Sequence, residues 1–571
     1  ALTVARLADA ERAFEDIADH EYAALDPGRV APARMAVRLL CWLEMVSREQ
    51  PGGALPQTVA AGVDGHLGDW GWVDRALITL RAGDPVHDDA IATAYKTVAR
   101  RAQTRRDEFD HAFALRLAAW APDAAPSAGL LRIEDVLERV VAPIADSAPS
   151  APLLLVLDGM SSAAAVDLAE QIRGDGWIEA SIAPGRKAAL AMFPSVTRIS
   201  RASLLAGAPN TGGQQAETDA FEAFWQRRRR PAALFHKSDI AGPDGARLAN
   251  PLVRALSETG TVVGVVLNTI DDALDKDRMG DRTGWRVADI THLDVLLDSA
   301  RSYGRPIVVV SDHGHVLERG TEQQDRPSAA AARWRTGEPA EGEIALTGSR
   351  VLDGGGNIVV PWRDDIRYAQ KRAGYHGGAS LAEMTVPVLA FMPRHDDPPS
   401  GWHVLPEEDT TPPWWTRAAG PAASATIAAP AQPAKGRATA KRPSVPPVQE
   451  DALFAAPAAA TVPAVVSPTT HTSLGIRVVD SPVYRRQLAM VRRQPKAERV
   501  VAVIDALAAA GGSLSSTKTI EVMGSTAARL EGTFATLQRL LNVETYPVLM
   551  LVDGGRTARL DVLLLSEQFG V

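Results

Sequence analysis

Four β-branched residues, Ile307-Val308-Val309-Val310, run straight into Ser311-Asp312-His313-Gly314. Such a run reads as a buried strand of a parallel sheet, and open parallel sheets build their sites at the carboxyl ends of strands. Asp312 and His313 at that place offer an oxygen and a nitrogen to one metal ion. The same residues also make an ordinary polar turn after a core strand. Two further apolar runs end in acid-bearing turns. Leu153 to Leu157 leads to Asp158-Gly159, and Thr261 to Leu267 leads to Asn268 and then Asp271 and Asp275. His376-Gly377-Gly378 follows later. Asp158, Asp271, Asp275, Asp312, His313 and His376 together suffice for two divalent ions, zinc, manganese or magnesium. An oxygen-rich pair of ions suits phosphoryl transfer. A spacing of four puts Asp271 and Asp275 on one face of a helical turn.

Thr197 is the candidate nucleophile. It follows Pro194-Ser195-Val196 and opens a segment expected to be helical. A helix amino end favours phosphate, and a bound metal lowers a hydroxyl pKa. Arg198 and Arg201 are candidate clamps for phosphate oxygens. The plainer reading of Thr197 is a helix N-cap.

These residues need a scaffold. From 149 to 403 strand-like runs alternate with helical ones, the texture of an α/β domain. Residues 1–148 read as a helical domain. Its Trp42, Trp70, Trp72 and Trp120 are expected to pack, and nothing in it suggests chemistry. Residues 404–478 are rich in Pro and Ala and read as a linker, with Trp414 and Trp415 placed to pack back on the α/β domain. Residues 479–571 carry three helical stretches and a hairpin, Pro547 to Val552 with Arg559 to Leu565 about Asp553-Gly554-Gly555, expected as a winged-helix-like domain. Arg485, Arg486, Arg492, Arg493, Lys496 and Arg499 cluster at its entrance, either as a phosphate-touching patch or as a solvated helix.

The chain has 571 residues, 46% hydrophobic, and a net charge of -8, so any nucleic-acid contact must be local. Cys41 is its single cysteine, which excludes disulfide stapling. No apolar run approaches a membrane span and no signal peptide is visible, so the expectation is a cytoplasmic protein without a membrane partner.

In order, Leu157-Asp158-Gly159-Met160, Pro194 to Arg198, Asp271-x-x-x-Asp275, Ser311 to Gly314 and His376-Gly377-Gly378 resemble the motifs of the alkaline phosphatase superfamily. Phe193 to Arg198, Leu234-Phe235-His236-Lys237 and the flanking layout resemble the PglZ family of the Pgl and BREX phage-defence systems. The resemblance implies an alkaline-phosphatase-like central sheet with flanking helices. It implies one ion held by Asp158, Asp312, His313 and the nucleophile Thr197, and another by Asp271, Asp275 and His376. The family commonly carries His where this chain has Asp275. An oxygen there favours Mn²⁺ or Mg²⁺ over Zn²⁺, or weak binding. Asp272 and Asp277 stay open as alternative ligands, and His236, Lys237 and His315 as supporting or merely structural residues.

Two functions fit. One is a metal-dependent phosphoric ester hydrolase, a phosphatase or phosphodiesterase with nuclease action included, serving phage defence on a phosphate ester, DNA among the options. The run Arg227-Arg228-Arg229-Arg230 gives the DNA option mild support. The other is a non-catalytic scaffold that keeps the phosphatase fold and binds DNA or partner proteins, such as a DNA methyltransferase of the same system.

Overall fold

The computed structural model describes residues 7–21, 23, 27–47, 54–83, 88–242, 247–275, 283–319, 323–324, 329–394, 396–417, 473–489, 495–522, 530–542, 548–552 and 557–569. The chain forms two compact units, Ala1–Ala431 and Gln432–Val571, each with its own apolar core.

The first unit opens with helices α1 (Leu7–Ala18), α2 (Pro27–Ser47), α3 (Val59–Gly65), α4 (Gly71–Ala82) and α5 (Asp89–Trp120). Sequence and cap agree in α5. Asp88 accepts from the amides of Ala90 and Ile91, and Val98, Ala102, Phe109, Phe113 and Leu117 recur on one buried stripe. Then come β1 (Leu131–Arg132), α6 (Ala142–Ser147), β2 (Leu153–Leu157), α7 (Ser162–Gly174), β3 (Ile178–Ser181), β4 (Lys187–Leu190), α8 (Thr197–Ala206), α9 (Gln214–Arg227) and β5 (Ala232–Phe235). After them lie α10 (Lys237–Ile240), α11 (Asn250–Ser257), β6 (Val262–Leu267), α12 (Thr269–Asp275), α13 (Leu293–Ser302), β7 (Ile307–Val310) and β8 (Val316–Leu317). The unit ends with β9 (Glu343–Thr347), β10 (Asn357–Pro361), β11 (Gly374–Tyr375), α14 (Leu381–Met384), β12 (Thr385–Met392), β13 (His403–Val404), α15 (Glu407–Thr410) and α16 (Pro413–Arg417).

The main sheet runs β1-β4-β12-β7-β2-β6-β5, with β3 beside β12 and β13 beside β3. Strands β7, β2, β6 and β5 are parallel, and β12 is antiparallel to β7. Their residues are buried throughout β2, β6 and β7, as continuous apolar runs require. The register decides the site. Val156 pairs with Val310 and Leu157 with Leu267. Continued past the strand ends, it sets Asp158, Asp312 and Asn268 at one level.

The helical front is continuous with the sheet. One apolar cluster contains Trp42, Trp72 and Phe113 from the front together with Leu155, Val265 and Val309 from the strands. Residues 404–417, expected as the start of a linker, belong to this unit. Trp414 and Trp415 are buried, but against the helical front instead of the sheet. Trp415 meets Trp72 at 4.7 Å with Arg38 stacked over its ring at 3.8 Å, and Trp414 donates to Asp69. Linker residues 418–472 lie outside the described residues, as do Tyr22 and Asp277.

The second unit comprises α17 (Leu474–Asp480), α18 (Pro482–Ala489), α19 (Ala497–Ala509), β14 (Ser513–Ser515), α20 (Ser516–Val522), α21 (Leu530–Leu541), β15 (Leu549–Val552), β16 (Thr557–Leu560) and α22 (Val562–Phe569). Strand β16 lies between β14 and β15. The expected second hairpin strand is shorter than its sequence suggests. It stops at Leu560, and Val562 to Leu565 turn into α22. Arg492, Arg493 and the turn 553–555 lie outside the described residues. No helix among the described residues is long and apolar enough to cross a membrane.

Candidate metal centre

Three neighbouring parallel strands deliver the site. Strand β7 leads into Asp312-His313, β2 into Asp158, and β6 into Asn268, after which α12 carries Asp271 and Asp275. Thr197 is the first residue of α8. His376 follows β11, which pairs with β8 so that Tyr375 faces Val316. That two-stranded ribbon returns His376 to His313, and the two rings stack at 3.9 Å. Two glycines shape these turns. Gly159 has φ +74, a conformation that favours glycine. Gly314 runs so near α14 that a Cβ there would sit 1.9 Å from the Ala382 carbonyl oxygen.

The ligand-type side chains share one design: one atom is anchored and another is left over. Asp158 Oδ2 accepts from Arg201 Nη1 and from Asn268 Nδ2, each at 2.6 Å. Its Oδ1 is left toward Thr197 Oγ1 at 3.5 Å and His313 Nε2 at 3.6 Å. Asp312 Oδ1 accepts the amides of Gly159 at 3.1 Å and His313 at 3.0 Å. Its Oδ2 is buried with no hydrogen-bond partner and lies 3.5 Å from His313 Nε2. His313 Nδ1 sits 3.0 Å from the Gly314 carbonyl, which can only accept, so Nδ1 carries the hydrogen and Nε2 presents its lone pair. Thr197 Oγ1 lies 3.0 Å from that Nε2. His315 and His376 are pinned likewise, through Nδ1 to the carbonyls of Gly159 at 2.7 Å and Ser195 at 3.2 Å.

The electrostatics match. Asp158 and Asp312 are fully buried, and both carboxyls are pushed well above the usual carboxylate range. Burial is the main cause for each; repulsion from Asp312 adds to it at Asp158 and repulsion from Asp271 at Asp312, while Arg201 pulls both the other way. A dry pocket with two acids, one orphaned oxygen and an imidazole lone pair fits a divalent cation, which would satisfy all of them. Burial and the adjacent His313 hold His376 on the neutral side. Asp158, Asp312 and His313 have ligand atoms within 4.8 Å of one another, and they are the group of at least three such residues that converges among the described residues.

The remaining candidates fall elsewhere. Asp271 Oδ1 faces His376 Nε2 at 3.7 Å, at the mouth of a cleft of about 460 Å³ that Val196, Asp275, Arg372 and Tyr375 also line. Asp275 shares that helix face but pairs with Arg372. Asp272 pairs with Lys237. Of the expected phosphate clamps, Arg198 is largely exposed and pairs with Asp353. Arg201 is buried between Asp158 and Glu217, at 2.6 and 3.0 Å. Neither is among the residues lining the cleft. Two supporting residues escaped the sequence reading. Asn268 had a signal, since it stands at the end of its strand as Asp158 and Asp312 do. Glu217, in the first turn of α9 and 3.7 Å from His236, had none.

This arrangement coincides with a family match. Residues 136–391 match the BREX system PglZ alkaline phosphatase-like domain, and residues 469–570 the BREX system PglZ C-terminal domain. The chain belongs to the PglZ family. It is thus a phosphatase-like protein of a phage-defence system. The helical front before residue 136 lies outside both matches. Among curated proteins none matches. Solved structures similar to this PglZ chain include phosphonoacetate hydrolase from Sinorhizobium meliloti in complex with phosphonoacetate, at 12% identity and a TM-score of 0.28, covering 47% of this chain and 95% of that one. Murine ectonucleotide pyrophosphatase/phosphodiesterase 5 is similar at 13% identity and a TM-score of 0.27, covering 42% and 87%. The human protein of that name stands at 12% and 0.28, with the same coverage.

Proposed function

We propose that this chain is a metal-dependent phosphoric ester hydrolase with Thr197 as its nucleophile. The observation that carries the reading is the convergence of Asp158 Oδ1, Asp312 Oδ2 and His313 Nε2, each left over after its side chain is anchored, beside the Thr197 hydroxyl. Asp158, Asp312 and His313 would hold one divalent ion beside Thr197, and Asp271 and His376 offer a second position. A bound ion supplies positive charge that lowers the threonine pKa and offsets charge on the phosphoryl oxygens.

The chain's own residues do the rest. Thr197 is only partly buried and directly follows Val196 of the cleft lining, so a phosphate ester can reach it. It stands at the amino end of α8, where the peptide dipoles favour an anion. Its oxygen bonds to phosphorus as the bond to the ester oxygen breaks, and its proton ends on the departing alcohol. Water then cleaves the phosphothreonine, releasing phosphate or a monoester and restoring the hydroxyl. Arg201 and Asn268 keep Asp158 from turning away. DNA as the ester is a narrower option. Arg228 and Arg230 of the arginine run are paired with Glu138 and Asp146, which takes up half of that run's positive charge.

The test is hydrolysis of a generic phosphodiester and of DNA by wild type and Thr197→Ala, with Mn²⁺, Mg²⁺ or Zn²⁺ supplied. Activity in wild type and at least a ~10³-fold loss in the variant are expected. Full activity in Thr197→Ala would sink the nucleophile assignment. Inactivity with every metal would favour the scaffold reading, in which the domain serves other subunits of the defence system.

A further inference from the structure

We propose that the centre binds one divalent ion tightly, at Asp158, Asp312 and His313, and that Arg372, by holding Asp275, keeps the Asp271–His376 position weak. This rests on the metal-dependent reading above and deepens it. The two halves of the centre differ in build. On one side the acids and the imidazole are fully buried, and their leftover atoms converge. On the other, the side chains of Asp271 and His376 are 28% and 26% exposed and contribute one oxygen and one nitrogen, 3.7 Å apart. Protein sites that hold a divalent ion firmly use at least three side-chain ligands. Asp275 is the natural third, four residues after Asp271 on the same face of α12 and lining the same cleft. Its carboxylate is instead engaged by the Arg372 guanidinium.

Arg372 is set in place by the element that carries His376. Its amide donates to the Tyr375 hydroxyl at 2.9 Å, and that hydroxyl donates to Glu318 at 2.5 Å. Tyr375 ends β11, and His376 follows it directly. The ribbon that delivers one ligand of the second position therefore also delivers the cation that withdraws another. A divalent ion must therefore displace the Arg372 guanidinium to recruit Asp275. Arg372 also leaves a fixed positive charge on the cleft wall where a second ion would otherwise provide it.

The full chain, stripped of metal with a chelator, is titrated with Mn²⁺ by calorimetry, with ion content counted after gel filtration. Wild type should hold one ion, the second binding at least ~10-fold more weakly. Arg372→Gln should strengthen the second ion by ~5-fold or more and leave the first unchanged. The gain should vanish in the double variant Arg372→Gln/Asp275→Asn. Both side chains are about half exposed, at 48% and 47%, so these variants keep the fold. Two equally tight ions in wild type would overturn the proposal, as would a second affinity unmoved by Arg372→Gln or a gain that survives in the double variant. All three outcomes leave the metal-dependent reading intact. A wild type that binds no Mn²⁺ would overturn both.

Discussion

Asp312 shows what the centre costs the fold when no cation is bound. Its Oδ2 is buried without a partner, and Asp158 sits beside it in the same dry pocket. An amide keeps the Oδ1 contacts and removes the charge. Asp312→Asn should therefore stabilise the metal-free protein by about 1–3 kcal/mol while abolishing the rise in melting temperature on adding Mn²⁺. Melting curves with EDTA and with Mn²⁺ read both effects, and a variant still stabilised by Mn²⁺ would refute the ligand assignment. Arg201 should behave in the opposite sense. Arg201→Met strands Glu217, whose side chain is fully buried, and releases Asp158, so a loss of about 3–5 kcal/mol is expected in the same assay. Adding Glu217→Gln should recover part of that loss. The sequence showed Asp158, Asp312 and His313 because each ends or follows an unbroken apolar run. It could not show that Arg201 turns inward onto Asp158, since the contact spans 43 positions and leaves no local pattern.

Elements brace this centre from the helical side. Asp74 on α4 takes the fork of Arg106 on α5 at 2.9 and 3.1 Å and also pairs with His66 at 2.9 Å. His66 Nδ1 lies 3.1 Å from Ser162 Oγ, four positions after Asp158. Asp110, one turn beyond Arg106, accepts the amide of Leu381 on α14, the helix against which Gly314 packs. The one guanidinium serves Asp74 first, and its contact with Asp110 is longer, at 3.3 Å. Burial then pushes the Asp110 carboxyl up to about 7. The folded state consequently keeps a proton that the unfolded chain loses near pH 4, so the contribution of Asp110 to stability falls as pH rises from about 4 to about 7 and is level above that. Asp110→Asn removes this slope. Its stability relative to wild type should rise by a few kcal/mol between pH 4.5 and pH 8, read from denaturation midpoints at both pH values. An unchanged difference would mean that Asp110 is ionised throughout. Unbroken apolar runs made β2, β6 and β7 legible, and helical spacing of apolar residues made α2 and α5 so. The β9–β10 pair and the switch to α22 after Leu560 were not, because a short apolar run suits a strand and a buried helix turn equally.

At the scale of the molecule, the helical front is part of the unit that carries the candidate centre and not an attached adaptor. The sequence suggested a separate domain because nothing in residues 1–148 bears chemistry. What it could not display is that Trp42, Trp72 and Phe113 share one core with the strands, or that Trp414 and Trp415 return from the far end of the unit to close it. Removing the front would expose that core beside Asp158 and the Arg106–Asp110 brace. The second unit has a core of its own, built from Val500, Ile504, Leu507, Leu537, Leu541, Leu549 and Leu560. Two independent cores should give two independent unfolding events. A fragment ending at Arg417 should keep the Mn²⁺ affinity and melting temperature of the corresponding transition in the full chain. A fragment starting at Ser473 should show its own cooperative transition, insensitive to Mn²⁺. A fragment starting at residue 149 should instead fail to give a soluble metal-binding protein, because its sheet would lose the helices that bury its edge. Calorimetry of the three fragments and the intact chain separates these outcomes, and a residue-149 fragment that melts cooperatively with Mn²⁺ bound would show that the front is dispensable to the centre.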